Sequence, residues 1–184
     1  IRLSVSVGIA IDDPAHPSAE DLLRAADVAM YEAKDQGKSR WAMFEAGMAD
    51  ETVERFEISN ALGAAIEDGN LKVQYQPIVD LATGEMRGFE ALVRWQHPER
   101  GMVSPAAFSP LAEQNGLIIP LGRSVLSTAV MQLAEWRAAG HDIYASINVS
   151  AVQLQVPGIV DEILDVVDRS GTIRSAVVLE LTES

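Results

Sequence analysis

The sequence predicts an α/β fold: about half of a (β/α)8 barrel, preceded by a fragment of a second α/β domain. Three observations carry this expectation. From residue 71 onward, strand-like and helix-like segments alternate, which argues for a parallel sheet covered by helices. Three of the strand-like segments end in isolated acids or amides: Glu90-Ala91-Leu92-Val93-Arg94, Asn148-Val149-Ser150 and Glu180-Leu181-Thr182-Glu183. Residues 1–46 hold only a strand, a helix and a short strand, too little to bury their own faces.

The elements follow in order. In residues 1–11, Ile1, Leu3, Val5, Val7, Ile9 and Ile11 alternate with Arg2, Ser4, Ser6, Gly8 and Ala10. That is the pattern of a strand with one apolar face and one small or polar face. Asp12-Asp13-Pro14 ends it, and Ser18-x-x-Asp21 offers a helix cap. Leu22, Ala26, Ala29, Met30 and Ala33 mark the buried stripe of the helix that follows. Gly37 is its expected C-cap, with Lys34 and Lys38 near the negative end of the helix dipole. Residues 41–44 read as a returning strand. An acidic helix opens at Asp50 and Glu51 and carries Val53, Phe56, Leu62, Ala65 and Ile66. It is the expected connector, running into the first helix of the next domain.

Residues 71–79 and 86–95 read as strands around a turn at 80–84. Ser104-Pro105 is an N-cap followed by proline at the first helical position, and Gly116 ends that helix. Leu121, Val125, Ala129, Leu133 and Trp136 define a longer helix closing at Gly140. Strand 143–149, helix 159–167 and strand 176–181 form one βαβ unit. Four such strands amount to half of a barrel that takes about 250 residues.

Composition narrows the function. A chain of 184 residues, 48% of them apolar, has room for a substantial core. The net charge of -13 excludes a general nucleic-acid groove, so neither DNA nor RNA is an expected partner. It leaves room for an anionic nucleotide held through divalent metal. Absence of cysteine removes disulfides, thiolate metal sites and thiol chemistry. No apolar run approaches the roughly 20 residues of a membrane span, and the first residues read as a strand instead of a signal peptide. A cytoplasmic location is the default, with any membrane anchor or sensory domain elsewhere in a longer parent protein.

A carboxylate inside an apolar strand is costly unless something pairs with it, and a bound metal does so most directly. Three oxygen donors from separate strand ends suit a hard divalent cation such as Mg2+ or Mn2+. Glu90 and Arg94 share one side of their strand, about 13 Å apart at roughly 3.3 Å per residue. One residue of that pair can hold a metal while the other grips a phosphate; an internal ion pair, or an arginine snorkelling at a strand end, is the plainer account of the segment alone. Asn148 offers a neutral amide oxygen, although capping the next turn is the simpler role for Asn148 or Ser150 in isolation. Glu180 has only apolar neighbours in Ala176-Val177-Val178-Leu179 and Leu181, and demands a specific partner. Glu183 falls on the opposite strand face or in the loop beyond. Gln76 lies on a strand, where it touches a ligand or is simply an edge-strand glutamine. His16, His97 and His141 sit in loops and read as solvated, and Asp161, Glu162, Asp165 and Asp168 as the wet face of a helix.

Taken in order, Tyr75-Gln76-Pro77-Ile78, Glu90-Ala91-Leu92-Val93-Arg94-Trp95, His97-Pro98, Ser104-Pro105, Phe108, Ala112-Glu113, Gly116-Leu117-Ile118, Asn148-Val149-Ser150 and Glu180-Leu181-Thr182-Glu183-Ser184 closely resemble the EAL family of cyclic di-GMP phosphodiesterases. Residues 4–10, Ala26-Asp27-Val28-Ala29-Met30-Tyr31-Glu32-Ala33-Lys34 and Gly37-Lys38 resemble the tail of a GGDEF (diguanylate cyclase) domain. The resemblance implies a GGDEF fragment over 1–46, a helical linker over 47–58, and the N-terminal part of an EAL domain, a TIM-like barrel, over 59–184. It implies hydrolysis of cyclic di-GMP to linear pGpG with Mg2+ or Mn2+. Glu90, Asn148 and Glu180 would then be metal ligands and Arg94 would contact a substrate phosphate. Gln76 would lie close to the dinucleotide, and Glu183 would anchor a mobile loop beside the metals.

The family's other ligands, an Asp-Asp pair and a glutamate, and its water-activating lysine lie further downstream. Here the Asp-Asp pair is Asp12-Asp13, and no lysine follows Lys72. The 184 residues alone are therefore expected to be inactive, a piece of a longer protein whose open half-barrel self-associates as a homo-oligomer or by exchanging elements. The alternatives are a non-catalytic cyclic di-GMP receptor or interaction module, and a parent acting mainly as a diguanylate cyclase.

Overall fold

A computed structural model describes residues 4–11, 18–35, 37 and 39–182. The chain forms two compact units, Ile1–Glu57 and Ile58–Ser184. The expectations for residues 1–3, the Asp12-Asp13 turn, His16, Lys38 and Glu183 fall outside the described residues.

In the first unit, β1 (Val7–Ile9) pairs in parallel with β2 (Trp41–Met43), and α1 (Ala19–Asp35) connects them. Ser18 Oγ accepts from the Asp21 N–H at 3.1 Å and donates to the Asp21 carboxylate at 2.6 Å, so the expected cap forms. Ala25, Ala29 and Ala33 are buried, and a Cβ on Gly8 would overlap the α1 backbone at Ala26 and Met30. The small face of β1 therefore lies against the helix, because only small residues let the two backbones come this close. The apolar face is the open one: Val5 and Ile11 are 68% and 62% exposed. β1 is also shorter than the alternation over 1–11 predicts.

α2 (Met48–Glu67) is a single helix that spans the expected linker. Within the second unit its Ile58, Leu62 and Ala65 are buried, whereas Val53 and Phe56 at its start are exposed. The second unit is built on one sheet. β3 (Leu71–Val79), β4 (Met86–His97), β6 (Tyr144–Ser150) and β7 (Val177–Thr182) lie side by side in that order, and β5 (Gly101–Val103) pairs with β4. β4–β6 and β6–β7 are parallel, whereas β3–β4 and β4–β5 are antiparallel. The expectation of a parallel sheet thus fails at β3. The reason is geometric: a tight turn can only return the chain antiparallel, since parallel neighbours need a crossover of about a dozen residues.

Four helices complete the unit: α3 (Pro105–Gln114), α4 (Ile118–Ala138), the short α5 (Ala151–Leu154) and α6 (Ile159–Ser170). β5 and α5 are additions to the elements read from sequence. Phe89 and Ala91 of β4 and Ala145 and Ile147 of β6 pack against α4 and α6. Tyr75, Phe89 and Trp136 meet edge to face there, with ring centroids 4.8 to 5.1 Å apart. A second cluster joins Ile58 and Leu62 of α2 to Trp95, Phe108 and Leu111. With the odd-numbered residues of β4 and β6 committed to the helices, their even-numbered residues occupy the other sheet face.

Two further readings change. His97 is not simply solvated: its Nδ1 accepts from the backbone N–H groups of Glu99 and Arg100 at 3.2 Å each, and its ring stands against Trp95. The acidic row on α6 is tied as well as wet, since Arg123 grips Glu162 at 2.7 Å and Arg174 grips Asp168 at 2.6 Å. Among the described residues, no helix is long and apolar enough to cross a membrane.

A candidate metal site on the sheet face

β6 carries Ser146, Asn148 and Ser150 on one pleat face and Ala145, Ile147 and Val149 on the other. Strand register brings the polar face into line with its neighbours. Glu90 lies opposite Ser146 on one side and opposite Gln76 on the other, and Asn148 lies opposite Glu180. The result is one row of Gln76, Glu90 and Ser146, and a second row, two residues further along β6, of Asn148 and Glu180. Two hydrogen bonds cross between the rows. Asn148 Nδ2 donates to Glu90 Oε1 at 2.7 Å, and Ser146 Oγ donates to Glu180 Oε1. The central strand thus holds both carboxylates, each by a single oxygen.

Glu90, Asn148 and Glu180 are therefore brought together, although not quite as the sequence suggests. Glu90 is not at a strand end, because β4 continues to His97. It lies instead at the end of the parallel pairing of β4 with β6, whose last matched residues are Ala91 and Ile147. Glu180 is exposed rather than buried, as are Val178 at 42% and Leu181 at 60%, because β7 is the outermost strand of the described sheet. It still has the specific partner its apolar neighbours demand, the Ser146 hydroxyl. Arg94 makes no ion pair among the described residues; its Nε donates to Gln74 Oε1 at 3.1 Å and its Nη1 to the Val93 carbonyl at 2.9 Å. Gln76 is exposed on β3, at one edge of the sheet.

Where β4 and β6 part company, a cleft of about 470 Å³ opens, bounded among others by Leu92, Glu113, Val125, Asn148, Ser150 and Gln153. Its floor is braced by polar contacts. Ser150 Oγ donates to Glu113 of α3 at 2.6 Å and caps α5, while the Ser150 N–H donates to Gln153 Oε1 at 3.0 Å. Gln153 in turn lies so close to Gly122 of α4 that a Cβ there would overlap it. Ser146 and Gln153 are site residues that the motifs do not mark, and Glu113 lies in the Ala112-Glu113 motif without a role having been read for it. The signal for Ser146 is present, since polar Ser146, Asn148 and Ser150 recur every second residue in an otherwise apolar strand. Nothing local marks Gln153 or gives Glu113 its role, since both depend on helices folding back over the strand ends.

The family model of the EAL domain matches residues 59–184. The chain belongs to the EAL-domain family. Across its whole length it is 39% identical to the bifunctional diguanylate cyclase/cyclic di-GMP phosphodiesterase MucR of Pseudomonas aeruginosa, and covers 27% of that protein. It is also 38% identical over its whole length to the cyclic di-GMP phosphodiesterase PdeR of Escherichia coli, and covers 28% of it. The chain thus spans between a quarter and a third of these curated relatives. Among solved structures, a cyclic di-GMP complex of the PaMucR phosphodiesterase matches with a TM-score of 0.66 and 40% identity, over 70% of this chain and 52% of that one.

EAL phosphodiesterases depend on divalent metal, and the EAL residues gathered here fit such an ion. Two carboxylates and an amide are the oxygen donors that Mg2+ and Mn2+ accept. Asn148 engages Glu90 through its nitrogen, so its oxygen is the atom left to face a cation. Among the described residues no three His, Asp or Glu side chains cluster in metal-holding range, so within this set the amide is needed as the third donor.

Proposed function

We propose that this chain is part of a GGDEF–EAL protein whose complete EAL domain hydrolyses cyclic di-GMP to linear pGpG with Mg2+ or Mn2+. The observation that carries the reading is the meeting of Glu90, Asn148 and Glu180 on one sheet face, at the C-terminal end of the parallel strands. Glu90, Asn148 and Glu180 hold the metal, which when bound acidifies water and stabilises the charge of an in-line displacement at phosphorus. Arg94 exchanges Gln74 and the Val93 carbonyl for a substrate phosphate, which its guanidinium fork fits better than two neutral acceptors. Gln76 contacts the dinucleotide from the row it shares with Glu90, part of the nucleotide enters the cleft beside Asn148, and Glu183 anchors a loop beside the metals.

Residues 1–46 are the tail of a GGDEF domain, 47–58 the linker and 59–184 the first half of the barrel. The β–α–β order of the first unit, the continuous α2 and the parallel β4, β6 and β7 support this division. The domain works in the cytoplasm. The segment by itself lacks part of the catalytic set and self-associates, for which the exposed Val178, Leu179 and Leu181 of β7 offer a surface.

Glu90→Gln in the parent protein, supplied with cyclic di-GMP and Mn2+, should form no pGpG by liquid chromatography. Turnover at the wild-type rate would overturn the assignment. Nucleotide binding by the wild-type protein without product would instead mark a receptor, and GTP consumption without pGpG formation would mark a cyclase.

A further inference from the structure

We infer that Ser146 is the residue that positions Glu180 for the metal, an inference that rests on the phosphodiesterase reading above. Ser146 is buried at 1% exposure on β6, while Glu180 is exposed on the next strand, β7. An exposed glutamate has many rotamers, and ordering one of them costs side-chain entropy. A buried serine hydroxyl has few alternative partners in such a place. Its bond to Glu180 Oε1 therefore both satisfies the serine and selects one carboxylate orientation.

The geometry makes this more than a surface contact. Ser146 lies opposite Val178, not opposite Glu180, so the bond runs diagonally and pulls the carboxylate back over the centre of β6. Asn148 does the same to Glu90 from the other side. Both glutamates thereby keep one oxygen held by β6, and among the described residues neither second oxygen accepts a hydrogen bond. Those two oxygens are the ones a cation can share. Removing the hydroxyl takes away the one hydrogen bond that holds the Glu180 carboxylate among the described residues, and leaves it freer to swing toward solvent.

The experiment is a titration of MnCl2, without nucleotide, into the full-length protein and its variants, with free Mn2+ read by electron paramagnetic resonance. Ser146→Ala should bind Mn2+ about tenfold more weakly, the lower end of what outer-shell changes cost. Ser146→Cys, close in size and a much weaker donor, should fall between Ala and wild type. Excess Mn2+ should restore turnover of Ser146→Ala with KM for cyclic di-GMP unchanged. Wild-type Mn2+ affinity in a folded Ser146→Ala protein would overturn the inference, and should that variant not fold, wild-type affinity in Ser146→Cys would do so. Glu90→Gln separates the two levels. If it abolishes Mn2+ binding while the Ser146 variants do not alter it, only the role of Ser146 fails; if Glu90→Gln also leaves binding intact, the metal reading itself fails.

Discussion

Asn148 and Glu90 are 58 positions apart in the chain, yet the amide of one donates to the carboxylate of the other at 2.7 Å across neighbouring parallel strands. Replacing Asn148 by Asp sets two carboxylates face to face at that spacing. Like charges so close disfavour the ionised pair. Metal-free Asn148→Asp should be less stable than wild type by about 1–3 kcal/mol, the cost of a lost hydrogen bond at a partly buried charge. Mn2+ should then raise its melting temperature more than that of the wild type, because the ion screens the pair. Melts in EDTA and in MnCl2 test this, and equal metal shifts for the two proteins would contradict it.

Gly88 governs the same alignment from below. A Cβ there would stand 2.5 Å from the Tyr144 carbonyl oxygen and 2.9 Å from its ring, at the first matched pair of β4 and β6. The obstacle is backbone, so it cannot swing away, and β4 must move. Gly88→Ala should cost about 1–3 kcal/mol by overpacking and weaken Mn2+ binding although every ligand is intact. Urea unfolding and a Mn2+ titration measure the two effects. Wild-type values in both would remove Gly88 from this role.

The brace under the cleft makes a local prediction. Gln153→Ala leaves the buried Ser150 N–H without its side-chain acceptor, at a cost of about 1–3 kcal/mol. Gln153→Glu keeps an acceptor oxygen and should cost less. Amide hydrogen exchange at Ser150 should quicken in the alanine variant and much less in the glutamate variant. Equal exchange in both would mean that Gln153 only fills space.

Acid should loosen the outer surface of the second unit first. The guanidinium groups of Arg123 and Arg174 hold the carboxyls of Glu162 and Asp168 below their ordinary values, and the backbone N–H groups of Thr83 and Ala82 do the same for Asp80. A depressed folded-state value means that the unfolded chain takes up protons first as the pH falls. The contribution is full above the ordinary values of 4.5 for Glu and 3.8 for Asp, and is lost as pH drops through the lower folded ones. All three groups are solvent-accessible, so each effect is small. Between pH 7 and pH 3, Glu162→Gln should lose less stability in urea than the wild type. An equal loss would show that the pair with Arg123 contributes nothing measurable.

Much of this architecture is legible residue by residue. The cap at Ser18, proline at the start of α3 and the apolar stripe of α4 are local signals, and each element forms close to where they place it. The alternation in β6 likewise marks which residues share the site face. The antiparallel entry of β3 was within reach too, since the shortness of its turn forbids anything else. The exposure of Glu180 and of the apolar face of β1 was not, because burial is a property of whatever lies against a strand, and no strand encodes its own cover.

The order of residues alone specified strands, helices, caps and the acid-and-amide motifs, all of which arise from interactions within a few positions of the chain. Folding in three dimensions added the strand order β3–β4–β6–β7, the crossed hydrogen bonds from Ser146 and Asn148, and the brace of Ser150, Glu113 and Gln153. These join segments far apart along the chain, and their partners are chosen by packing and register, which no short stretch of sequence contains.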